Sequence, residues 1–304
     1  MLPLRKISLL IMIAVWIMPV IVAGQGYIQQ VETSGSVDWT NQKIRCTGIG
    51  SPNPNLPSSS GAGAEKAALD NAYSNLIETI QSIHVNSEAT VGSMMAVSDI
   101  RDMILARPGH VYQELRVVDK RYMSTNDVEV DIEIPLTGYL SDRILPQNFG
   151  GAVLLTGGKL YCPCCGQPWP AGKPVPPGVT LIQGNTGSSA LETYTGLIID
   201  TRGLHIQPAL VPKIVNEDGA EIYGSKYVSR DYAVVIGLAG YENDMDRARM
   251  NERVADNPLI IKALEASGPN RTDVVIDNDD ALKIHNAAAN MNFLHHCKVM
   301  FVLD

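Results

Sequence analysis

The strongest periodic signal in the chain lies between residues 64 and 84. Apolar residues recur there at steps of three and four, at Leu69, Ala72, Tyr73, Leu76, Ile80 and Ile83. This spacing predicts an amphipathic helix, because it places all six side chains on one helical face. A second, shorter helix is predicted with Ser98 as its cap and with Ile100, Met103 and Ile104 as its buried edge.

Strict alternation follows over residues 127–136, where apolar residues alternate with Glu129, Asp131 and Glu133. The pattern predicts a half-buried strand with one acidic, solvated face. The segment "STND" joins it to a strand candidate at 110–123, so we expect the two to pair antiparallel. A further hairpin is predicted around Thr40, Asn41 and Gln42. This half therefore predicts a small α+β sandwich with helices on one side of a sheet.

The second half of the chain repeats the mixture of strands and helices. We predict a strand at 194–200, a hairpin that turns at Asp218-Gly219, an apolar strand at 231–241 and a helix at 258–267. The last unit, from residue 273 onwards, predicts the order strand, helix, strand, with Asn278 as the helix cap.

The predicted fold class is α+β, with two small α/β-sandwich domains in which helices pack on mainly antiparallel sheets. The chain is predicted to consist of a signal peptide at 1–24, an N-terminal module at 25–146, a Gly/Pro/Cys-rich linker or insertion at 147–190, and a C-terminal module at 191–304. The linker is assigned by its change of composition to Gly and Pro.

The N-terminus and the charge bear on location and partners. Arg5 and Lys6 precede an apolar run at 7–22 and the small residues Ala23 and Gly24, a layout typical of a secretory signal. The alternative is a retained anchor, but the run is short for a bilayer and contains a proline. Residues 1–24 carry two basic and no acidic residues, so their loss changes the net charge from −8 to about −10. An acidic chain without a basic run argues against nucleic-acid binding.

Candidate chemistry is concentrated in "YCPCCGQPWP", at 161–170, which contains Cys162, Cys164 and Cys165. Three interpretations stay open. A local disulfide is the interpretation that an oxidising compartment favours. Zinc binding would use the tight Cys-Pro-x-Cys-Gly turn, but one such turn supplies only part of a site and Cys46 and Cys297 are distant in sequence. Thiol redox chemistry would need a helix after the pair, and the following prolines disfavour one.

Other candidate sites have weaker patterns. "LHHC" at 294–297 could offer two imidazoles and a thiol, but in a strand His296 would face away from His295 and Cys297. The acidic residues at 242–246 and 277–280 are more typical of helix starts than of calcium loops. Asp200, Arg202 and His205 are more typical of a satisfied turn than of a catalytic group. The sequence contains none of the common nucleotide-binding or hydrolase motifs.

Two passages resemble known envelope proteins. The segment "VDWTNQKIRCTGIG", the alanine-bearing helix after it and "IHVNSEATV" resemble the N-terminal module of the flagellar T-ring protein and the related outer-membrane basal-disk lipoprotein of Gram-negative bacteria, over about residues 35–140. The segment at 194–224 resembles a second module that accompanies the first in secreted proteins. It does so through Gly196, Asp200, Arg202, Gly203, Pro208, Pro212, Asp218, Gly219 and Gly224. The chain departs from the lipoproteins because it lacks their lipidated cysteine.

The resemblance implies assembly and envelope scaffolding, and it provides no catalytic residues to carry over. We therefore expect a non-enzymatic exported scaffold or assembly protein. We expect it to be periplasmic or secreted, and to be associated with the outer membrane. Its expected partners are other envelope proteins or further copies of itself, without nucleic acid, cofactor or a stable membrane span. The alternative is a zinc-binding or thiol-redox protein that uses Cys162, Cys164 and Cys165.

Thiol and metal analysis separates these two functions. For the exported, purified protein we expect a disulfide within the cysteine-rich loop, because an oxidising compartment favours it. Titration of unreduced, denatured protein should then detect two fewer thiols than titration after reduction. One zinc per chain or per pair of chains, lost when Cys162, Cys164 and Cys165 are all replaced by serine, would support the metal-binding alternative instead.

Overall fold

The N-terminal part of the chain is built on a five-stranded antiparallel sheet. The computed structural model describes residues 26–32, 34–52, 60–105, 115–150, 160–161, 182–183 and 193–304. The strands of this sheet are β1 (Ile28–Val31), β2 (Gly35–Asp38), β3 (Lys43–Gly50), β4 (Arg116–Tyr122) and β5 (Val128–Pro135). Their order is β1-β2-β3-β5-β4, and every neighbouring pair is antiparallel. Both predicted hairpins are confirmed.

The described residues of this part form the helices α1 (Ser60–Ser82), α2 (Val91–Met94), α3 (Val97–Leu105) and α4 (Tyr139–Ile144). The long and the short predicted helices correspond to α1 and α3, and Ile100, Met103 and Ile104 are buried as expected. The prediction that Ser98 caps α3 was wrong. The carbonyl of Ala96 accepts the N–H groups of Asp99 and Ile100, so the helix begins before Ser98.

Helix α1 packs on the sheet at backbone distance. A Cβ atom on Gly48 would lie 2.1 Å from the carbonyl oxygen of Ala68 and 2.3 Å from the nitrogen of Ala72. Gly50 is equally close to the helix, since a Cβ atom there would lie 2.2 Å from the carbonyl oxygen of Ala64. All three alanines are fully buried. The helix therefore lies directly on β3, because neither element has a side chain that would hold them apart.

The acidic side chains of β5 form ion pairs with neighbouring strands and are only partly solvated. The sequence had predicted a solvated face. Asp131 is only 4% exposed and accepts hydrogen bonds from Arg45, at 2.9 Å, and from the Thr47 hydroxyl, at 2.6 Å. Arg121 of β4 also bonds Asp131 and pairs with Glu129. These partners keep the pKa of Asp131 below its usual value against the effect of its burial. The positive charges that pair with β5 thus come from β3 and β4, and the sequence of β5 alone does not reveal them.

The C-terminal part contains two four-stranded sheets and follows a short antiparallel pair, β6 (Leu160–Tyr161) and β7 (Ile182–Gln183). Its elements, in chain order, are β8 (Gly196–Asp200), β9 (Ile214–Asn216), β10 (Glu221–Tyr223), α5 (Arg230–Ile236), β11 (Gly240–Glu242), α6 (Met245–Met250), β12 (Pro258–Lys262), β13 (Glu265–Ser267), β14 (Asp273–Ile276), α7 (Asn278–Met291) and β15 (Val299–Val302).

One of these sheets is parallel throughout. It has the order β11-β15-β8-β12, and each of its three pairs is parallel. The other has the order β10-β9-β14-β13, in which only β9 and β14 are parallel. The predicted order of strand, helix and strand at the end of the chain is confirmed, but β14 and β15 belong to different sheets. The fold class is α+β, with sandwich-like packing of helices and sheets, as predicted.

Two predicted elements were of the wrong type. Residues 258–267 form β12 and β13 where a helix was expected, because Leu259 and Ile261 are buried while Ile260 is 37% exposed, a period of two. Residues 231–241 were expected to be one strand. They form most of α5 and then part of β11, with the break at Gly237, whose φ of +79° ends the helix.

The two parts share one buried cluster and are hydrogen-bonded to each other. The N–H groups of Leu210 and Val211 donate to the carbonyls of His84, at 3.0 Å, and Val85, at 2.7 Å. At another point Gly138 donates to Val234 at 2.8 Å. These backbone contacts fix the C-terminal part against the N-terminal sheet and helix. The exact boundaries of the predicted domains stay a prediction.

Among the described residues, none of the helices combines the length and the apolar character that crossing a bilayer requires.

Replacing Gly48 with alanine should lower the free energy of unfolding by about 1–3 kcal/mol, because the new methyl group overlaps the backbone of α1. Gly63→Ala is the matched control, since a Cβ atom there meets nothing within 4 Å and helical alanine is favoured over glycine by about 1 kcal/mol. Chemical denaturation measures both. Equal stability of Gly48→Ala and the unmodified protein would contradict the close packing.

Acid should destabilise the fold through His285. This side chain is fully buried, its Nε2–H donates to the Ile222 carbonyl at 2.7 Å, and burial lowers its pKa. The unfolded chain, with a histidine pKa of about 6.5, then binds the proton more readily, so stability falls as pH drops below that value, by at most about 1.4 kcal/mol per pH unit. In denaturation between pH 5 and 7, His285→Gln should flatten this slope. The exposed control His295→Gln should keep it, and an unchanged slope in His285→Gln would contradict the assignment.

Candidate functional site

A cleft of about 690 Å³ lies at the junction of the two parts of the chain. Its N-terminal side is Thr40, at the turn between β2 and β3. The other residues that line it come from α5, β11, β15, the turn after α6 and the turn before β15. Clefts at the contact between two packed units are common ligand sites, and this volume is within their usual range. We therefore take it as the candidate functional site.

The turn at Thr40 is seated on β11 by polar and aromatic contacts. The Thr40 hydroxyl donates to the Tyr241 carbonyl at 2.8 Å, and the Gln42 amide donates to the Ala239 carbonyl at 3.2 Å. The Trp39 ring lies edge-on to the Tyr241 ring, with 5.4 Å between their centroids. Because these contacts join both parts of the chain, the wall of the cleft is fixed in position.

Helix α5 supplies the apolar wall. Val235 is 67% exposed and Tyr232 is 43% exposed, while Ala233, on the other face of the helix, is fully buried. The Tyr232 ring lies 4.6 Å from the His296 ring and 6.3 Å from the His295 ring, measured between centroids. The helix therefore presents apolar and aromatic surface to solvent at the mouth of the cleft.

Arg253 carries a positive charge into this site. Its Nη1 donates to the carbonyls of Gly237, at 3.0 Å, and Cys297, at 2.9 Å, and its Nη2 donates to the carbonyl of Ile236. The glycine at position 240 leaves room for it, because a Cβ atom there would lie 2.8 Å from the Arg253 Nε. Burial lowers the pKa of this guanidinium. It nevertheless stays charged, as arginine does in proteins.

None of the ion pairs between described residues includes Arg253. Its three hydrogen bonds go to carbonyl dipoles, two of them at the C-terminal end of α5, where a cation is favourable. Carbonyl dipoles orient the guanidinium, but they do not neutralise a full charge. In the described part of the chain, this positive charge in the cleft has no carboxylate within ion-pair distance.

Lys298 adds to the cationic character, and His296 lines the cleft beside it. They belong to a turn in which Cys297 donates to the Leu294 carbonyl at 3.0 Å and Lys298 donates to the Phe293 carbonyl at 2.9 Å. Burial and the nearby charges of His295 and Lys298 lower the pKa of His296. Glu252 is the single carboxylate among the residues that line the cleft, and it is exposed.

This turn replaces the strand geometry considered for "LHHC". Cys297 has a φ of +56° and is fully buried, while His295 is exposed. Burial raises the pKa of the Cys297 thiol to about 12, so it is protonated at neutral pH. Among the described residues there is no group of three His, Cys, Asp or Glu side chains that could hold a metal ion.

Cys162, Cys164 and Cys165 lie outside the described residues, so the zinc, disulfide and redox alternatives for them stay predictions. Within the described part of the chain, Cys46 and Cys297 are buried and free. Cys46 lies against the Thr79 hydroxyl in the N-terminal core, 3.3 Å away, and Cys297 lies in the turn before β15. Each is thus committed to a different packing environment.

The acidic groups at the carboxyl ends of the parallel strands have structural partners. Asp200 pairs with Arg202 at 2.7 Å, and Asp304 accepts from the backbone N–H groups of Gly203 and His205. Asp244 caps α6 by accepting the Arg247 N–H at 2.9 Å. The interpretation of these segments as satisfied turns and a helix start is confirmed.

Sequence reasoning missed the cleft. Arg253 follows a polar segment that carries no recognisable motif, and Lys298 lies next to the histidines that drew attention as metal ligands. Val235 and Tyr232 were assigned to a strand. A strand would have placed them on opposite faces, whereas the helix directs both towards the cleft.

Comparison with known protein families gives a match in the C-terminal part of the chain. Residues 196–304 match the family described as Treponema pallidum Tp0624, second domain. All residues that line the cleft lie in this segment except Thr40. No curated protein matches the chain.

Proposed function

We propose that this chain is a non-enzymatic scaffold or assembly protein of the bacterial cell envelope, which holds a partner protein at the junction cleft. The observation that carries the proposal is an apolar helix wall exposed beside a hydrogen-bonded junction. Such a surface suits binding, since its shape is largely formed before a partner arrives.

Exposed apolar side chains support a docking role. Val235 is 67% exposed, Tyr232 is 43% exposed, and Met250, which precedes the cleft-lining Asn251, is 76% exposed. Single exposed apolar residues are ordinary on protein surfaces, but a group of them beside a concave site is typical of an interaction surface. Aromatic residues, methionine and arginine are also enriched where proteins bind each other.

The groups around the cleft are held in ways that favour binding over chemistry. The Tyr241 hydroxyl both accepts from the Ala209 N–H, at 3.0 Å, and donates to the Ala209 carbonyl, at 2.8 Å. Burial keeps the Cys297 thiol protonated. Arg253 is fixed by carbonyl groups. These side chains are positioned to shape and charge the cleft, not to exchange protons with a substrate.

The location and the partners are part of the proposal. The N-terminal residues with the layout of a secretory signal support a periplasmic or secreted protein, with outer-membrane association through a partner. The resemblance to flagellar outer-ring proteins supports an assembly of envelope proteins or of several copies of this chain.

Co-purification from envelope fractions, followed by particle imaging, tests this function. The unmodified protein should be recovered in discrete particles larger than one chain, together with envelope proteins. Val235→Asp places a charge on the apolar wall and should reduce this recovery about tenfold or more, because the loss of a central apolar contact often has such an effect. Leu282→Asp is the control, since Leu282 is exposed on α7 and does not line the cleft.

Three results would contradict the proposal. The protein could accumulate in the cytoplasm, it could be recovered only as a single chain without envelope proteins, or Val235→Asp could be recovered in particles as well as Leu282→Asp.

A further inference from the structure

We propose that the cleft recognises an acidic side chain of its partner, flanked by apolar residues, and that Arg253 is the group that binds the carboxylate. This inference rests on the proposed function, because it names the chemistry by which the partner is held. The occupant is a peptide segment of a partner protein that carries Glu or Asp next to an apolar residue.

The unneutralised charge of Arg253 is the first argument. Of the five N–H groups of a guanidinium, the structure engages three, all with carbonyl oxygens. A partly buried cation without an anion raises the free energy of the empty cleft. A bound carboxylate would supply the missing charge and could accept from the remaining N–H groups.

The balance of charge at the cleft is the second argument. The whole chain has a net charge of −8, yet the residues that line this cleft include Arg253 and Lys298 against the single carboxylate of Glu252. His296 also lines the cleft, but burial and its neighbours lower its pKa, so the positive charge of the site comes from Arg253 and Lys298. A local positive site on an acidic protein selects for negative groups on a partner.

The apolar wall defines the neighbours of that carboxylate. Val235 and Tyr232 line the same cleft as Arg253, and Met300, which is 1% exposed, forms part of its floor. A free inorganic anion would leave these apolar groups uncovered. An acidic residue flanked by leucine-like side chains would cover them and place its carboxylate at the guanidinium.

Capped peptides test this recognition on the purified full chain. The probes are N-acetylated, C-amidated Ser-Leu-Glu-Leu-Ser and the same peptide with Gln in place of Glu. Binding is followed by the chemical shifts of cleft residues in NMR titrations at low salt. The Glu peptide should bind about tenfold more tightly or better, and this preference should weaken as salt is added.

Variants assign the preference to particular residues. Arg253→Gln and Lys298→Gln should each reduce the preference for Glu at least threefold, while Lys226→Gln, whose side chain is 65% exposed away from the cleft, should retain it. Arg253 also holds backbone carbonyls, so its variant could lose the fold. Thermal unfolding checks this, and Arg253→Lys, which keeps the charge, should preserve part of the preference.

Several results would overturn the proposal. These are equal binding of the Glu and Gln peptides, no shift of cleft signals by either peptide, or an unchanged preference for Glu in a folded Arg253→Gln variant. A third probe is the Gln peptide with a free C-terminal carboxylate, and binding of this peptide alone would overturn the assignment to an acidic side chain.

The test is independent of the proposed function. If the protein prefers the Glu peptide but is not recovered in envelope particles, only the scaffold function is contradicted. If the particles form and depend on Val235 but the protein binds the Glu and Gln peptides equally, only this inference is contradicted.

Discussion

The architecture of the site depends on how the turn at Thr40 is held against β11. The Thr40 hydroxyl and the Gln42 amide satisfy carbonyls of the C-terminal part, and the Trp39 ring packs on Tyr241. Trp39 and Tyr241 are each only 1% exposed, so this contact is part of the shared core and not a loose surface touch. Without this contact, Thr40 would no longer line the cleft, and β11 would lose its hydrogen bond to the turn.

A second constraint acts through Arg253. Its side chain joins the end of α5 to the turn before β15 by hydrogen bonds to Ile236, Gly237 and Cys297. Satisfying otherwise orphaned carbonyls stabilises both segments. The same bonds orient a charge beside an apolar wall, so stability and recognition depend on one residue. Because of these bonds, the short elements around the cleft are held in fixed positions relative to one another.

The neutral, buried groups around the cleft contribute in another way. Cys297, in the turn before β15, remains uncharged because burial raises the pKa of its thiol. The Tyr241 hydroxyl is occupied by the backbone of Ala209. Charge at the cleft therefore comes from Arg253 and Lys298 against the single carboxylate of Glu252, which gives the cleft a local positive sign on an otherwise acidic chain.

Local pattern alone determined much of the N-terminal part: the long helix, its buried face, both hairpins and the α+β class follow from periodicity and turn residues. It failed at 231–241 and 258–267, because short apolar runs fit helix and strand alike and only pairing with β8 or β15 decides between them. The cleft was decided by tertiary structure, since Thr40, Val235, Arg253 and Lys298 are far apart in sequence and meet only when the two parts pack. Charge neutralisation, as at Asp131, likewise depends on neighbours that no single segment contains.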